Sequence, residues 1–186
     1  MEKYLVVDIE RLPDNSGFSM TQPYLIEHIL DAANIDPRMT NYRPTPAVGP
    51  LLTRDEYGPA SKHDCKYRTL TVILGYLQGT SRPDISMATH QCARFNANQK
   101  LCHKRAVKRI CKYLLDTKDK GITFRPDKTK GLECHIDAEF FGGWKNGEHL
   151  NPEAVLSRTG FLISYAGCPI YWCRKLLTEI ALSTTE

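Results

Sequence analysis

Two periods of apolar residues alternate along this chain, and the elements they predict follow one another in blocks. Residues 4–9 are apolar and largely β-branched and read as a strand. A turn at 13–17 follows, in which Pro13 presets φ and Gly17 accepts positive φ. Phe18, Ser19 and Met20 would return antiparallel as the second arm of a hairpin. From Thr21, just ahead of Pro23, the period lengthens: Ile26, Ile29, Leu30 and Ala33 recur at helical spacing, and Asp36-Pro37 would end that helix. A second helix begins near Cys65, with Tyr67, Leu70, Leu74 and Leu77 on one face and a break at 79–81. Pro83 suits the first turn of a third helix, lined by Ile85, Ala88, Cys92 and Phe95. A fourth, about 100–116, carries Val107, Ile110, Cys111, Leu114 and Leu115 as its apolar stripe. Between the first two helices, residues 37–61 hold five prolines and two glycines, an extended connector and the best linker candidate.

Beyond Lys118 the period falls to two. Leu132, Cys134, Ile136 and Ala138 alternate with Glu133, His135, Asp137 and Glu139, the signature of a strand. Gly142-Gly143 and Asn146-Gly147 mark a loop, 160–165 reads as a second strand, 166–169 as a turn, and 170–173 as a third strand. Three strands joined this way form an antiparallel meander. The last four residues, Ser183 to Glu186, match a capping box with Ser183 as N-cap and Glu186 as the third helical residue. A helix is announced where the sequence stops, so the chain reads as truncated.

Charge changes this picture at one place. Residues 1–99 carry 10 basic and 11 acidic side chains, 100–130 carry 11 basic and 3 acidic, and 131–186 carry 4 basic and 7 acidic. The positive excess is confined to the fourth helix and its flank. There Lys104, Arg105, Lys108, Arg109 and Lys112 fall mainly opposite the apolar stripe, an electrostatic footprint for phosphate backbones. A solvated helix face with no ligand is the plain alternative. A membrane-surface helix is disfavoured because neighbouring helices offer the apolar stripe a protein core. No apolar run approaches the ~18–20 residues of a membrane span, and Met1 to Leu5 show no secretory-signal pattern, so an intracellular, cytoplasmic or nuclear location is expected.

Seven cysteines, none spaced C-x-x-C, fit thiols in a reducing compartment better than a zinc site. The six histidines show no metal-ligand spacing. Asp137 and Glu139 share a strand face with Glu133, and such carboxylates can hold Mg²⁺, although acidic residues on a solvated strand face are common.

Many short motifs, kept in one order over nearly the whole chain, together carry a resemblance. They include Tyr67-Arg68, Tyr76-Leu77, Arg82-Pro83-Asp84-Ile85, Ala93-Arg94-Phe95, 106–110, Tyr113-Leu114 and Thr117-Lys118-Asp119. They continue with Asp137-Ala138, Gly143, Ser157-Arg158, Gly160, 166–170, Trp172 and 181–186. The sequence resembles copia-type LTR retrotransposon polyproteins. The resemblance implies an α+β fold in which 1–20 is a primer-grip-like hairpin at the end of the reverse transcriptase palm. Residues 21–118 would be a thumb- and connection-like helical region, and 119–186 the truncated start of an RNase H-like domain opening on the three-stranded meander.

The implied activities are RNA-directed DNA synthesis and hydrolysis of RNA in RNA:DNA hybrids. Asp137 would be the first RNase H carboxylate and a Mg²⁺ ligand. Glu186 is either its second carboxylate or, more simply, the helix-capping residue two positions before it. Two-metal hydrolysis needs several carboxylates to fix ions ~3.5–4 Å apart, so this chain is expected to be inactive by itself and to bind Mg²⁺ weakly. Expected partners are an RNA:DNA hybrid or duplex, held by its phosphates through Lys104, Arg105, Lys108, Arg109 and Lys112, and the rest of the polyprotein, with no membrane. The competing readings are a non-catalytic nucleic-acid-binding module built on the basic helix, and a functionless element remnant. The sequence departs from the family at Val6 and Val72, where relatives usually have glycine. It departs again at Glu139, in place of a second aspartate, and at Arg174, in place of a common serine.

Overall fold

The computed structural model describes residues 2–4, 6–38, 43–59, 66–139 and 156–177. They form an α+β chain of two units, Met1–Arg125 and Pro126–Glu186. The elements in order are β1 (Glu2–Tyr4), β2 (Val7–Arg11), β3 (Phe18–Thr21), α1 (Pro23–Ala32), α2 (Tyr67–Thr80), a 3₁₀ turn (Pro83–Ile85), α3 (Ser86–Ala93), α4 (Leu101–Leu115), β4 (Ile122–Phe124), β5 (Leu132–Glu139), β6 (Arg158–Tyr165) and β7 (Cys168–Leu176).

The expected two-strand hairpin is one half of a four-stranded antiparallel sheet in the order β1-β2-β3-β4. Residues 4–9 do not make one strand. The chain turns between Tyr4 and Val7, which pair with each other, and Val6 sits at φ 68°. A β-branched residue in the left-handed region is strained by its Cβ, and Val6 is where the family resemblance places glycine. Val6→Gly is therefore expected to stabilise the first unit by roughly 1 kcal/mol, after glycine's extra unfolded-state entropy is set against the relieved strain. A urea midpoint that falls on this substitution would contradict the strain argument. The next turn forms where expected, but Asn15, at φ 54°, takes the positive φ assigned to Gly17; the Leu12 amide bonds the Gly17 carbonyl, and the Asp14 carboxylate takes the Ser16 amide and hydroxyl. Gly17 is required there because a Cβ would collide with the carbonyl of Phe124 on β4.

The helices bury the faces their periodicity marked. Ile26, Ile29, Leu30, Leu70, Leu74, Leu77, Ile85, Val107, Ile110 and Leu114 form one core. α1 ends before Asp36-Pro37, in a Schellman motif: Asn34 takes φ 52°, its amide bonds the Asp31 carbonyl, the Ile35 amide bonds the Leu30 carbonyl, and Ile35 folds back into the core. The Ser81 hydroxyl donates to the buried Gln22 amide oxygen at 2.7 Å, fastening the end of α2 to the start of α1.

The second unit is an antiparallel meander, β5-β6-β7, with Asp137 opposite Gly160. A two-residue turn with Ala166 at φ 51° and Gly167 at φ 73° joins β6 to β7. Its apolar face, including Leu132, Ile136, Tyr165 and Tyr171, is largely exposed. The expected loop glycines at 142–143 and 147 and the capping box at 183–186 lie outside the described residues.

Candidate functional site

α4 begins with an unusual charge pattern for a helix. Its first turn has no acidic residue, and Lys104 and Arg105 follow at once, although the helix dipole disfavours cations there. The connector compensates. Instead of an open linker, residues 43–59 form a strap laid along α4 within the same unit. The Leu101 amide bonds the Pro59 carbonyl, the Cys102 thiol lies 3.4 Å from the Asp55 carboxylate, Arg109 reaches the Thr45 hydroxyl at 3.4 Å, and the Arg43 amide bonds the Asp116 carboxylate at 2.8 Å. A proline-rich segment cannot satisfy its carbonyls internally, so it uses the side chains and helix end beside it.

His103 is the pin of this arrangement. It is fully buried and its ring stacks on Phe95 with centroids 3.9 Å apart. Nδ1 accepts the Lys100 amide at 3.0 Å, so Nε2 carries the proton and donates to the Thr53 carbonyl 3.0 Å away. Sequence reading passed over His103, yet it lies four residues before Val107 on the same helical stripe.

Strap, α3 and α4 line a half-open groove of about 810 Å³. One wall presents Arg105, Lys108, Arg109 and Lys112, and Arg43 stands on the strap. The floor is apolar, with Met87, Ala88, Cys92, Ala106 and Ile110 below and Val48, Leu51 and Leu52 from the strap. Among the described lining residues there is no aspartate or glutamate. The buried Nε–H of Arg109 has no hydrogen-bond partner among the described residues. Four of the five expected cations thus meet at one site. Lys104 does not: it is buried, because its position three residues before Val107 and seven before Cys111 puts it on the apolar side of α4. Lys108, Arg109 and Lys112 are half-buried rather than outward, and Arg105 is exposed.

The thiols in the groove are not nucleophiles. Burial pushes Cys92 up to about 12, and burial together with Asp55 raises Cys102, so both remain protonated at neutral pH.

Asp137 is exposed on β5, an edge strand, on the face it shares with Glu133 and His135. Glu133 accepts from the Ser164 hydroxyl at 3.4 Å. Among the described residues no three of His, Cys, Asp and Glu come together as metal ligands. A divalent cation prefers several converging oxygens, and the described residues around Asp137 do not make such a set. Glu186 lies outside the described residues. No described helix is long and apolar enough to cross a membrane.

Known proteins match nearly the whole of this arrangement in sequence. The chain is 27% identical over 186 residues to the retrovirus-related Pol polyprotein from transposon RE1 of Arabidopsis thaliana, covering 98% of this chain and 12% of that protein. It is 32% identical over 177 residues to the corresponding polyprotein from transposon TNT 1-94 of Nicotiana tabacum, covering 90% of this chain and 12% of that protein. The chain is a homologue of retrovirus-related Pol polyproteins from transposons. It spans 12% of the length of these relatives. Secreted RxLR effector protein 161 of Plasmopara viticola is also similar, 30% identical over 120 residues, which is 64% of this chain and 79% of that protein. No protein-family model and no solved structure matches the chain.

The structure brings together several of the motifs that carry the resemblance. Arg82, Asp84, Tyr113 and Thr117 form one network. Arg82 makes a two-pronged contact with Asp84 at 2.9 and 2.7 Å, and its other donors reach the Thr117 carbonyl at 2.8 Å and hydroxyl at 2.7 Å. The Tyr113 hydroxyl donates to the same Asp84 carboxylate at 2.7 Å, and the Arg82 guanidinium lies 5.5 Å from the Tyr113 ring. These residues tie the turn before α3 to the end of α4. Their role is to position the helix that bears the cations.

Proposed function

We propose that this chain is part of a reverse transcriptase–ribonuclease H polyprotein, and that its first unit holds nucleic acid through the phosphate backbone. The observation that carries this reading is the groove on α4, where Arg105, Lys108, Arg109 and Lys112 meet and no aspartate or glutamate is among the described lining residues. Phosphate contacts of this kind release counterions and are indifferent to base sequence. The reading makes 21–118 a thumb- and connection-like region and 119–186 the start of an RNase H-like domain. The meander with Asp137 on its edge strand supports the latter assignment and supplies one carboxylate toward it. If a divalent metal bound there in the longer protein, Asp137 would be the residue of this chain to hold it.

The test is binding of labelled oligonucleotides by fluorescence anisotropy across a salt series. With four phosphate contacts the slope of log affinity against log salt should be roughly −3. Changing Arg105, Lys108, Arg109 and Lys112 to alanine together should abolish measurable binding and flatten the slope. Binding that survives this change would defeat the reading. We also propose that the 186-residue chain alone does not cut the RNA strand of a hybrid. Mg²⁺-dependent cleavage by the purified chain that disappears in Asp137→Asn would show otherwise.

A further inference from the structure

The groove places its cations where few phosphate-bearing surfaces could reach them. Lys108, Arg109 and Lys112 are half-buried, and the strap stands opposite them, anchored to α4 at Arg109, Asp116 and His103. A duplex carries its phosphates on the outside of a stiff, wide rod and would rest on the rim, where Arg105 is exposed. A single strand is narrow and flexible and can lie inside. Its phosphates would face the α4 wall, and its sugars and bases the apolar floor. The stripe from Arg105 to Lys112 runs about 10 Å along the helix, so successive phosphates of an extended strand can be met in turn. The groove is half open, and its volume of about 810 Å³ leaves room for a narrow, flexible chain to lie along it. The Arg109 Nε–H, buried in this wall without a partner among the described residues, is a donor in want of an acceptor, and its neighbours on the wall offer none.

We infer that this groove binds a single-stranded nucleic acid segment in preference to a duplex or hybrid. The inference rests on the proposal that the first unit holds nucleic acid, and goes beyond it by naming the form of nucleic acid. No aromatic side chain is among the described lining residues. The stacking that gives many single-strand sites their affinity is therefore missing, and binding is indifferent to base and governed by salt.

The experiment uses the full 186-residue chain and a roughly 20-nucleotide oligonucleotide, longer than one such site. It is offered as single-stranded DNA, single-stranded RNA, DNA duplex and RNA:DNA hybrid at low salt. The expected result is at least fivefold tighter binding of both single strands than of either duplex form. The double variant Lys108→Gln, Arg109→Gln should lose single-strand affinity tenfold or more while duplex affinity stays within twofold. Lys118→Gln, Lys120→Gln, exposed residues outside the groove lining, should change neither. Equal affinity for single strands and duplexes, or equal losses for both in the groove variant, would overturn this inference and leave the broader reading standing. Binding to none of the four would overturn both. Should the double variant melt early, acetylation of the unaltered chain decides. Single-stranded DNA should protect Lys108 and Lys112 more than Lys118 and Lys120, and uniform protection would overturn the inference.

Discussion

Arg82→Ala is expected to destabilise the first unit by about 2–4 kcal/mol, because it removes a buried guanidinium whose charge-assisted hydrogen bonds run to Thr117 and to the solvent-facing Asp84 carboxylate. Arg82 is 1% exposed and uses three nitrogens on Asp84 and Thr117. Truncating it leaves the Asp84 carboxylate to the Tyr113 hydroxyl and solvent, and leaves the carbonyl of buried Thr117, just past α4, without its guanidinium donor. Most domains are stable by ~5–15 kcal/mol, so the melting temperature should fall by roughly 10–20 °C. Arg82→Lys should recover less than half of the loss, because an ammonium cannot reproduce the planar fork. Arg82→Met combined with Asp84→Leu should be less damaging than Arg82→Met alone, since no charge is then left unpaired. Equal losses in those two variants would show that packing, not charge, is what Arg82 contributes.

The same network fixes a pH dependence. Burial alone would raise the Asp84 carboxyl, but hydrogen bonds from Arg82 and Tyr113 and the guanidinium charge hold it below its ordinary value. A carboxyl lower in the folded than in the unfolded state lends stability that is fully present above the ordinary aspartate range, near pH 4. That stability is lost as pH falls through the lower, folded value. Asp84→Asn should flatten this acid limb in urea midpoints measured from pH 6 downward.

His103→Ala is the second large effect. It removes a stacked ring from the core and leaves the Lys100 amide and the Thr53 carbonyl unpaired, together worth about 2–4 kcal/mol. The damage should be local first. Amides of the strap, 51–59, should lose hydrogen-exchange protection before those of α2 do, because the strap has no secondary structure of its own. His103→Gln keeps one acceptor and one donor within reach and should restore part of the protection. Simultaneous loss across strap and α2 would mean that His103 supports the core as a whole and not the strap in particular.

Much of the fold was legible because it depends on local periodicity. Ile26, Ile29, Leu30, Leu70, Leu74, Leu77, Ile110 and Leu114 are buried where helical spacing put them, and the meander follows the two-residue alternation from Leu132. The same rule, carried one turn further back along α4, reaches His103 and Lys104. Residue type argued against burial there, and for a buried lysine or histidine only its surroundings can decide. Residues 4–9 read as a strand because Val6 is β-branched. Pairing of Tyr4 with Val7 overrode that preference at the expense of a positive φ.

The sequence by itself determined the helical core, the places of the turns, the concentration of cations between residues 100 and 130, and the resemblance to retrotransposon polyproteins. Tertiary structure alone decided what the cations face. Residues 43–59 carry no periodicity that says where they lie, and Arg82, Asp84, Tyr113 and Thr117 are 35 residues apart at their extremes. A groove made by laying a proline-rich strap along a basic helix is a product of long-range contacts. Such contacts pair side chains and backbone groups that lie far apart in sequence, and so leave no periodic mark in the pattern of side chains.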